Sequence, residues 1–221
     1  MSSKIFSLAI LALISLSSLH AQLSDRMVPR IGFSYEFVRY EVPGATGEPV
    51  LQTLEDFYNV HVGSYFTLFE HNDIISFGAD AALQAGVNFV TLQDRLSGTV
   101  QTKVPWVVQI PLFMMAKVGA NSTAYNSQAF GVGFGFGAQY NYLSQFGLDA
   151  SGSILNIRAG FINPSAAVEA TLRWRGSPVT ARFHFAAIRP ESVLSFERTD
   201  GSVVEENLRM GNFGISLLYP F

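Results

Sequence analysis

Cysteine is absent from the chain, and charge is scarce: Asp, Glu, Lys and Arg make up 14% of its 221 residues, against about 25% in an ordinary soluble protein. The first absence excludes a disulfide framework and a lipid-modified N-terminal cysteine. The second leaves too little charge to cover a water-facing surface. Beyond position 22 there is also no apolar run of about 18 residues; the longest candidate, "VPWVVQIPLFMMA", is interrupted by Gln109 and Pro111, which excludes a helical membrane protein. No basic cluster offers itself to nucleic acid, and the formal charge of −3 falls to −4 if Lys4 is lost with a leader. The histidines, His20, His61, His71 and His184, are dispersed, with no H-E-x-x-H or paired spacing. The sequence therefore predicts no metal site and no cofactor.

What is present begins with "MSSKIFSLAILALISLSSLHAQ": Lys4, an apolar run from Ile5 to Leu16, then small and polar residues before Ala21. This is the layout of a secretory signal peptide, predicted over 1–21, with 22–221 as the exported domain. The alternative, an uncleaved anchor, has an apolar core too short to span about 30 Å.

Alternation of apolar and polar residues predicts eight strands, at 30–40, 57–69, 74–90, 104–118, 128–143, 164–175, 178–188 and 208–221. In "RIGFSYEFV" Ile31, Phe33, Tyr35 and Phe37 oppose Gly32, Ser34 and Glu36. The connections alternate too. Those at 41–56, 91–103, 144–163 and 189–207 are long, "EHND" and "RGSP" are tight, and "GANSTAYNSQ" is of medium length. Short turns at one end and long loops at the other predict an all-β, eight-stranded antiparallel transmembrane β-barrel of the outer-membrane type, in a Gram-negative bacterium. A soluble lipocalin-like barrel also alternates. A small eight-stranded interior, however, cannot hold a phase so rich in Phe, Tyr, Trp, Leu and Ile, whereas lipid can face it.

"AFGVGFGFGAQYNYL" places glycines at 131, 133, 135 and 137 with aromatic and aliphatic residues between them. Phe136 stands where a dinucleotide fingerprint needs its third glycine. These glycines are expected to face the lumen and make room for larger residues opposite. Tyr58, Trp106, Tyr140, Tyr142, Trp174 and Tyr219 are expected to form aromatic girdles. The final "NFGISLLYPF", with Phe213, Ile215, Leu217, Tyr219 and Phe221 on one phase, resembles the assembly signal that barrel assembly machinery reads. "WVVQIPLFMMAKVG" followed by the glycine-rich strand resembles the PorT-like outer-membrane β-barrel domain family. That resemblance implies the same fold and compartment and no catalytic motif; one branch of the family is associated with type IX secretion and gliding. Pro111, which removes a ladder donor, predicts a bulge.

The predicted lumen phase collects Glu36, Asp80 and Glu169 against Lys117, Arg173 and Arg182, with His61 and His184 nearby in phase. An interior salt-bridge network is the favoured reading, because buried charges need partners. A selective pore is the sharper alternative, disfavoured by the narrow bore of eight strands. His61 and Ser64 lie on opposite phases and cannot form a catalytic pair, so the expectation is a non-enzymatic barrel. Its expected partners are outer-membrane lipid and a protein at the extracellular loops. Within the last loop, Asp200-Gly201 between "SVLSFER" and "SVVEE" predicts a hairpin whose free edges suit strand addition. The expected role is structural or surface-interacting. A secretion accessory is the alternative, and a lipid A-modifying enzyme or narrow channel comes third.

Overall fold

The computed structural model describes residues 26–43, 49–88, 90–93, 100–148, 154–188, 191–197 and 202–221. The predicted leader and the Asp200-Gly201 pair lie outside the described residues. Among the described residues there are ten strands: β1 (Met27–Pro43), β2 (Pro49–His71), β3 (Ile75–Val87), β4 (Val90–Gln93), β5 (Val100–Gly119), β6 (Phe130–Leu148), β7 (Ile154–Trp174), β8 (Ser177–Ala186), β9 (Glu191–Glu197) and β10 (Val203–Pro220). β1 pairs antiparallel with both β2 and β10, which closes the sheet. Eight staves form the wall, because β4 prolongs the β3 stave along β5 and β9 prolongs the β8 stave between β7 and β10.

The register sets how tightly the barrel is wound. Pairs run from Met27 through Phe66, Ala79, Met114, Phe136, Ala166, Phe185 and Phe213 and return to β1 at Phe37. One circuit thus climbs ten residues along β1, so the strands are strongly tilted. A barrel of this size has an interior that side chains can fill.

The surface is inverted relative to a water-soluble protein. Phe33 is 70% exposed while Glu36 is fully buried, and the same contrast runs along every stave. In β3 buried and exposed residues alternate over most of its length. Apolar side chains such as Phe77, Leu83, Phe134, Phe136, Ile162 and Ile215 point outward, and Ser34, Gln84, Gln109, Asn141 and Asn163 point inward. The lipocalin alternative requires the reverse. The structure is a closed antiparallel barrel of the outer-membrane type, with a lipid-facing exterior.

The β2–β3 and β7–β8 turns both use left-handed backbone. Asn72 and Asp73 have φ of 50° and 54°, and Arg175 and Gly176 have φ of 50° and 90°. Positive φ at both central residues suits the twist of the flanking strands. Three features depart from the sequence reading. The connections predicted as long loops are mostly strand, since β2, β6, β7 and β10 run on to Pro49, Leu148, Ile154 and Val203. Strands of 17–23 residues exceed the 9–11 or so that cross a bilayer, so the barrel wall continues beyond it. There is no bulge at Pro111: the β3–β5 ladder breaks after Ala81↔Leu112 and resumes in the same register at Gln84↔Gln109. A missing donor interrupts the bonds without adding a residue. Register shifts occur instead at Thr67/Phe69 and Val42/Pro43. Finally, the predicted hairpin forms between β9 and β10, but β9 also pairs with β7 from Asn156↔Glu197 to Ala159↔Leu194, so that edge is occupied.

Candidate functional site

The lumen is built in layers, and glycines set the spacing of its charges. Gly133 on β6 is paired with Lys117 on one side and Glu169 on the other. With no side chain between them, Lys117 Nζ and Glu169 Oε2 meet at 2.8 Å. A Cβ on Gly133 would lie 3.3 Å from both side chains. Gly214 separates Glu36 from His184 in the same way. Across it, His184 Nε2 stands 2.8 Å from Glu36 Oε1. A Cβ there would crowd both partners at 2.9 Å. Gly135 makes room for Met115, its register partner.

Glu169 is the hub of the charged layer. Arg30 Nη1 lies 3.0 Å from Glu169 Oε1 and Arg182 Nη2 lies 2.5 Å from it, with Lys117 on the other oxygen. Arg182 Nη2 also reaches Asp80 Oδ1 at 2.9 Å, and Arg30 pairs with Asp80. Lys117 Nζ sits 4.1 Å from the centre of the Tyr65 ring, a cation–π contact. With Glu36, the buried set holds three formal cations, Arg30, Lys117 and Arg182, and three anions, Glu36, Asp80 and Glu169. Among the described residues these formal charges balance.

A carboxamide layer lies beside Glu36. Gln109 donates to Glu36 Oε2 at 3.0 Å and to Asn141 at 2.9 Å, Asn212 donates to Glu36 at 3.2 Å, and Asn59 donates to Gln109 at 2.8 Å. Toward the loop end an apolar cluster of Val38, Phe57, Val107, Leu143, Ala159, Phe161 and Met210 follows, all buried. At the turn end the β5–β6 connection folds under the barrel, turned by Gly119 (φ 81°) and Asn121 (φ 61°). Asn121 donates to Thr180 at 3.3 Å, and Ser76 donates to the Ser122 carbonyl at 2.5 Å. Among the described residues the lumen is thus lined by a charged layer, a carboxamide layer, an apolar layer and the folded connection.

Of the residues predicted to share this network, Glu36, Asp80, Lys117, Glu169 and Arg182 are brought into the lumen and Arg173 is not. Arg173 lies at the rim, half-buried, and donates to the carbonyls of Gly176 (2.8 Å), Gln128 (3.4 Å) and Asn126. It clasps the β5–β6 connection from outside the charged layer, because two-residue spacing gives a side chain's face and not its height. Arg30 was missed by the sequence reading although it shares the inward phase of Gly32, Ser34 and Glu36. His61 Nδ1 bonds Gln84 at 3.0 Å, and Ser64 lies half-buried on the outer phase of β2. No Ser–His pair forms between them. Among the described residues no group of His, Asp and Glu could hold a metal ion.

Phe213, Ile215, Leu217, Tyr219 and Phe221 are all exposed on the outer face. Tyr58, Trp106 and Tyr142 lie toward the loop end, where the Trp106 and Tyr142 rings are 5.4 Å apart. Trp174 and Tyr219 lie at the turn end, and Tyr140 sits deeper than Tyr142 on β6.

No family model matches the chain, and no curated protein matches its sequence. Among solved structures, the chain is similar to the outer membrane protease OmpT from Escherichia coli, with a TM-score of 0.49, 9% identity and coverage of 89% of this chain and 97% of that one. It is similar to the outer membrane protein OprG from Pseudomonas aeruginosa, with a TM-score of 0.48, 11% identity and coverage of 89% and 97%. Neisserial surface protein A gives a TM-score of 0.40 and 9% identity, over 87% of this chain and 97% of that one. Identities this low transfer no activity.

Proposed function

We propose that this chain is a structural and surface-interacting barrel of the Gram-negative outer membrane, neither an enzyme nor a channel. The observation that carries the reading is the side-chain-lined interior: a cluster of ion pairs around Glu169, an apolar layer above it and a folded connection below it. Such an interior braces the wall and leaves the β-extensions at the loop end to meet partners. In planar bilayers the purified protein should give no steady conductance. Sustained, ion-selective current would replace this reading with the narrow channel.

The loop end is proposed to face the cell exterior, because outer-membrane barrels keep their short turns on the periplasmic side and their longer extensions outside. Protease added to intact cells should cut within 189–207 and spare 70–73. Cleavage at 70–73 alone would invert the orientation.

Membership of the PorT-like family, with an accessory role in secretion, is the second reading. It is supported by the pairing of the "WVVQIPLFMMAKVG" strand with the glycine-rich strand along their whole length. Secretion or gliding genes beside this one would favour it; lipid A genes would favour the enzyme instead.

A further inference from the structure

On the outer face, near the turn end, staves β6, β7, β8 and β10 enclose an open groove of about 530 Å³. Its floor is the cross-strand pair Ala170 and Ala181. Phe130 and Leu217 form its walls, and Trp174 and Tyr219 line it at the level of the turn-end girdle. Two short side chains among large ones produce a recess as deep as the missing bulk.

Charge at this end of the barrel is uneven. Glu70 and Asp73 stand at the β2–β3 turn, whereas Arg173 and Arg175 stand at the β7–β8 turn, at the foot of the groove. Arg173 is committed to backbone carbonyls. Arg175 is exposed and follows Trp174 directly. An apolar recess, an aromatic mouth and a cation beyond it match, in order, an acyl chain, a glycerol ester region and a phosphate.

We propose that the groove binds an anionic phospholipid of the periplasmic leaflet, with one acyl chain over Ala170 and Ala181 and the phosphate beside Arg175. The site rests on the membrane-spanning reading, and the test separates the two.

The chain has two tryptophans, Trp106 and Trp174, one at each end of the barrel. In Trp106→Phe, Trp174 becomes the sole reporter. The barrel is reconstituted in phosphatidylcholine vesicles containing a small fraction of lipid brominated on its acyl chains, either phosphatidylglycerol or phosphatidylcholine. Brominated phosphatidylglycerol should reach half-quenching of Trp174 at about fivefold lower mole fraction, the preference expected from one Arg at an anionic headgroup. Arg175→Gln should abolish that preference. Ala181→Leu, which fills the floor, should bring phosphatidylglycerol quenching down to the phosphatidylcholine level. In Trp174→Phe, Trp106 should be quenched equally by both lipids. Equal quenching of Trp174 by the two lipids, or a preference that survives Arg175→Gln, would overturn the site while leaving insertion intact. Absence of quenching at both tryptophans would overturn insertion itself, and the site with it.

Discussion

Glu169→Gln should lower the unfolding stability of the barrel by about 3–5 kcal/mol, the usual cost of leaving buried charges without their partner. The substitution keeps the shape of the side chain and removes one charge. Arg30, Lys117 and Arg182 all reach Glu169, so its loss leaves three buried cations near Asp80 as the only remaining anion of their layer. Arg182→Met should cost less, because Glu169 keeps Arg30 and Lys117. In the double variant the losses should fall short of additive, since the two residues share one network. Urea unfolding from detergent or lipid, followed by tryptophan fluorescence, gives all three values. A Glu169→Gln change within about 0.5 kcal/mol of wild type, the range of an ordinary surface substitution, would mean that the lumen is hydrated rather than sealed.

Changing Phe221 to Asp should remove most of the inserted barrel from the outer membrane. The same change at Val193, in the β9 extension, should leave insertion close to wild type. Phe221 is 72% exposed, and its backbone N–H donates to the Pro29 carbonyl at 3.2 Å. The residue lies at the turn end of the lipid-facing wall, where a charge near the membrane interface costs about 0–1 kcal/mol, so stability measured on refolded protein should change by no more than about 1 kcal/mol. Lost insertion with retained stability is the signature of a recognition signal. Equal amounts of folded Phe221→Asp and Val193→Asp in the membrane would remove that role.

Much of the wall was legible because two-residue alternation is the geometry of a strand between lipid and a polar lumen. Ile31, Phe33 and Ile215 point outward and Gly131, Gly133 and Gly135 inward, as their phase requires. The lumen was less legible. Arg30 and Asp80 sit on staves that do not pair with each other, and they meet across the interior only because each circuit of the barrel climbs ten residues. That stagger is a property of the closed sheet, absent from any single strand's pattern. Arg173 failed for the same reason, being on the inward phase of β7 at a height where the stave has left the charged layer. "GANSTAYNSQ" has the composition of a solvated turn, yet Asn121, Ser122 and Thr123 are buried beneath the barrel. The Asn121 amide and the Ser122 hydroxyl find partners there, in Thr180 and the Asp73 carbonyl. The β-extensions were read as loops because they combine weak alternation with charge, and ladder pairing to a neighbour sustains them where lipid does not.

Everything above depends on the apolar face lying in a membrane around a closed ladder. Cell fractionation followed by detergent gel electrophoresis tests it in a single experiment. The protein should sediment with the outer membrane, and an unheated sample should migrate differently from a boiled one, since closed ladders whose bonds are all satisfied resist detergent. Recovery in the soluble fraction without detergent, with one band whatever the heating, would contradict it.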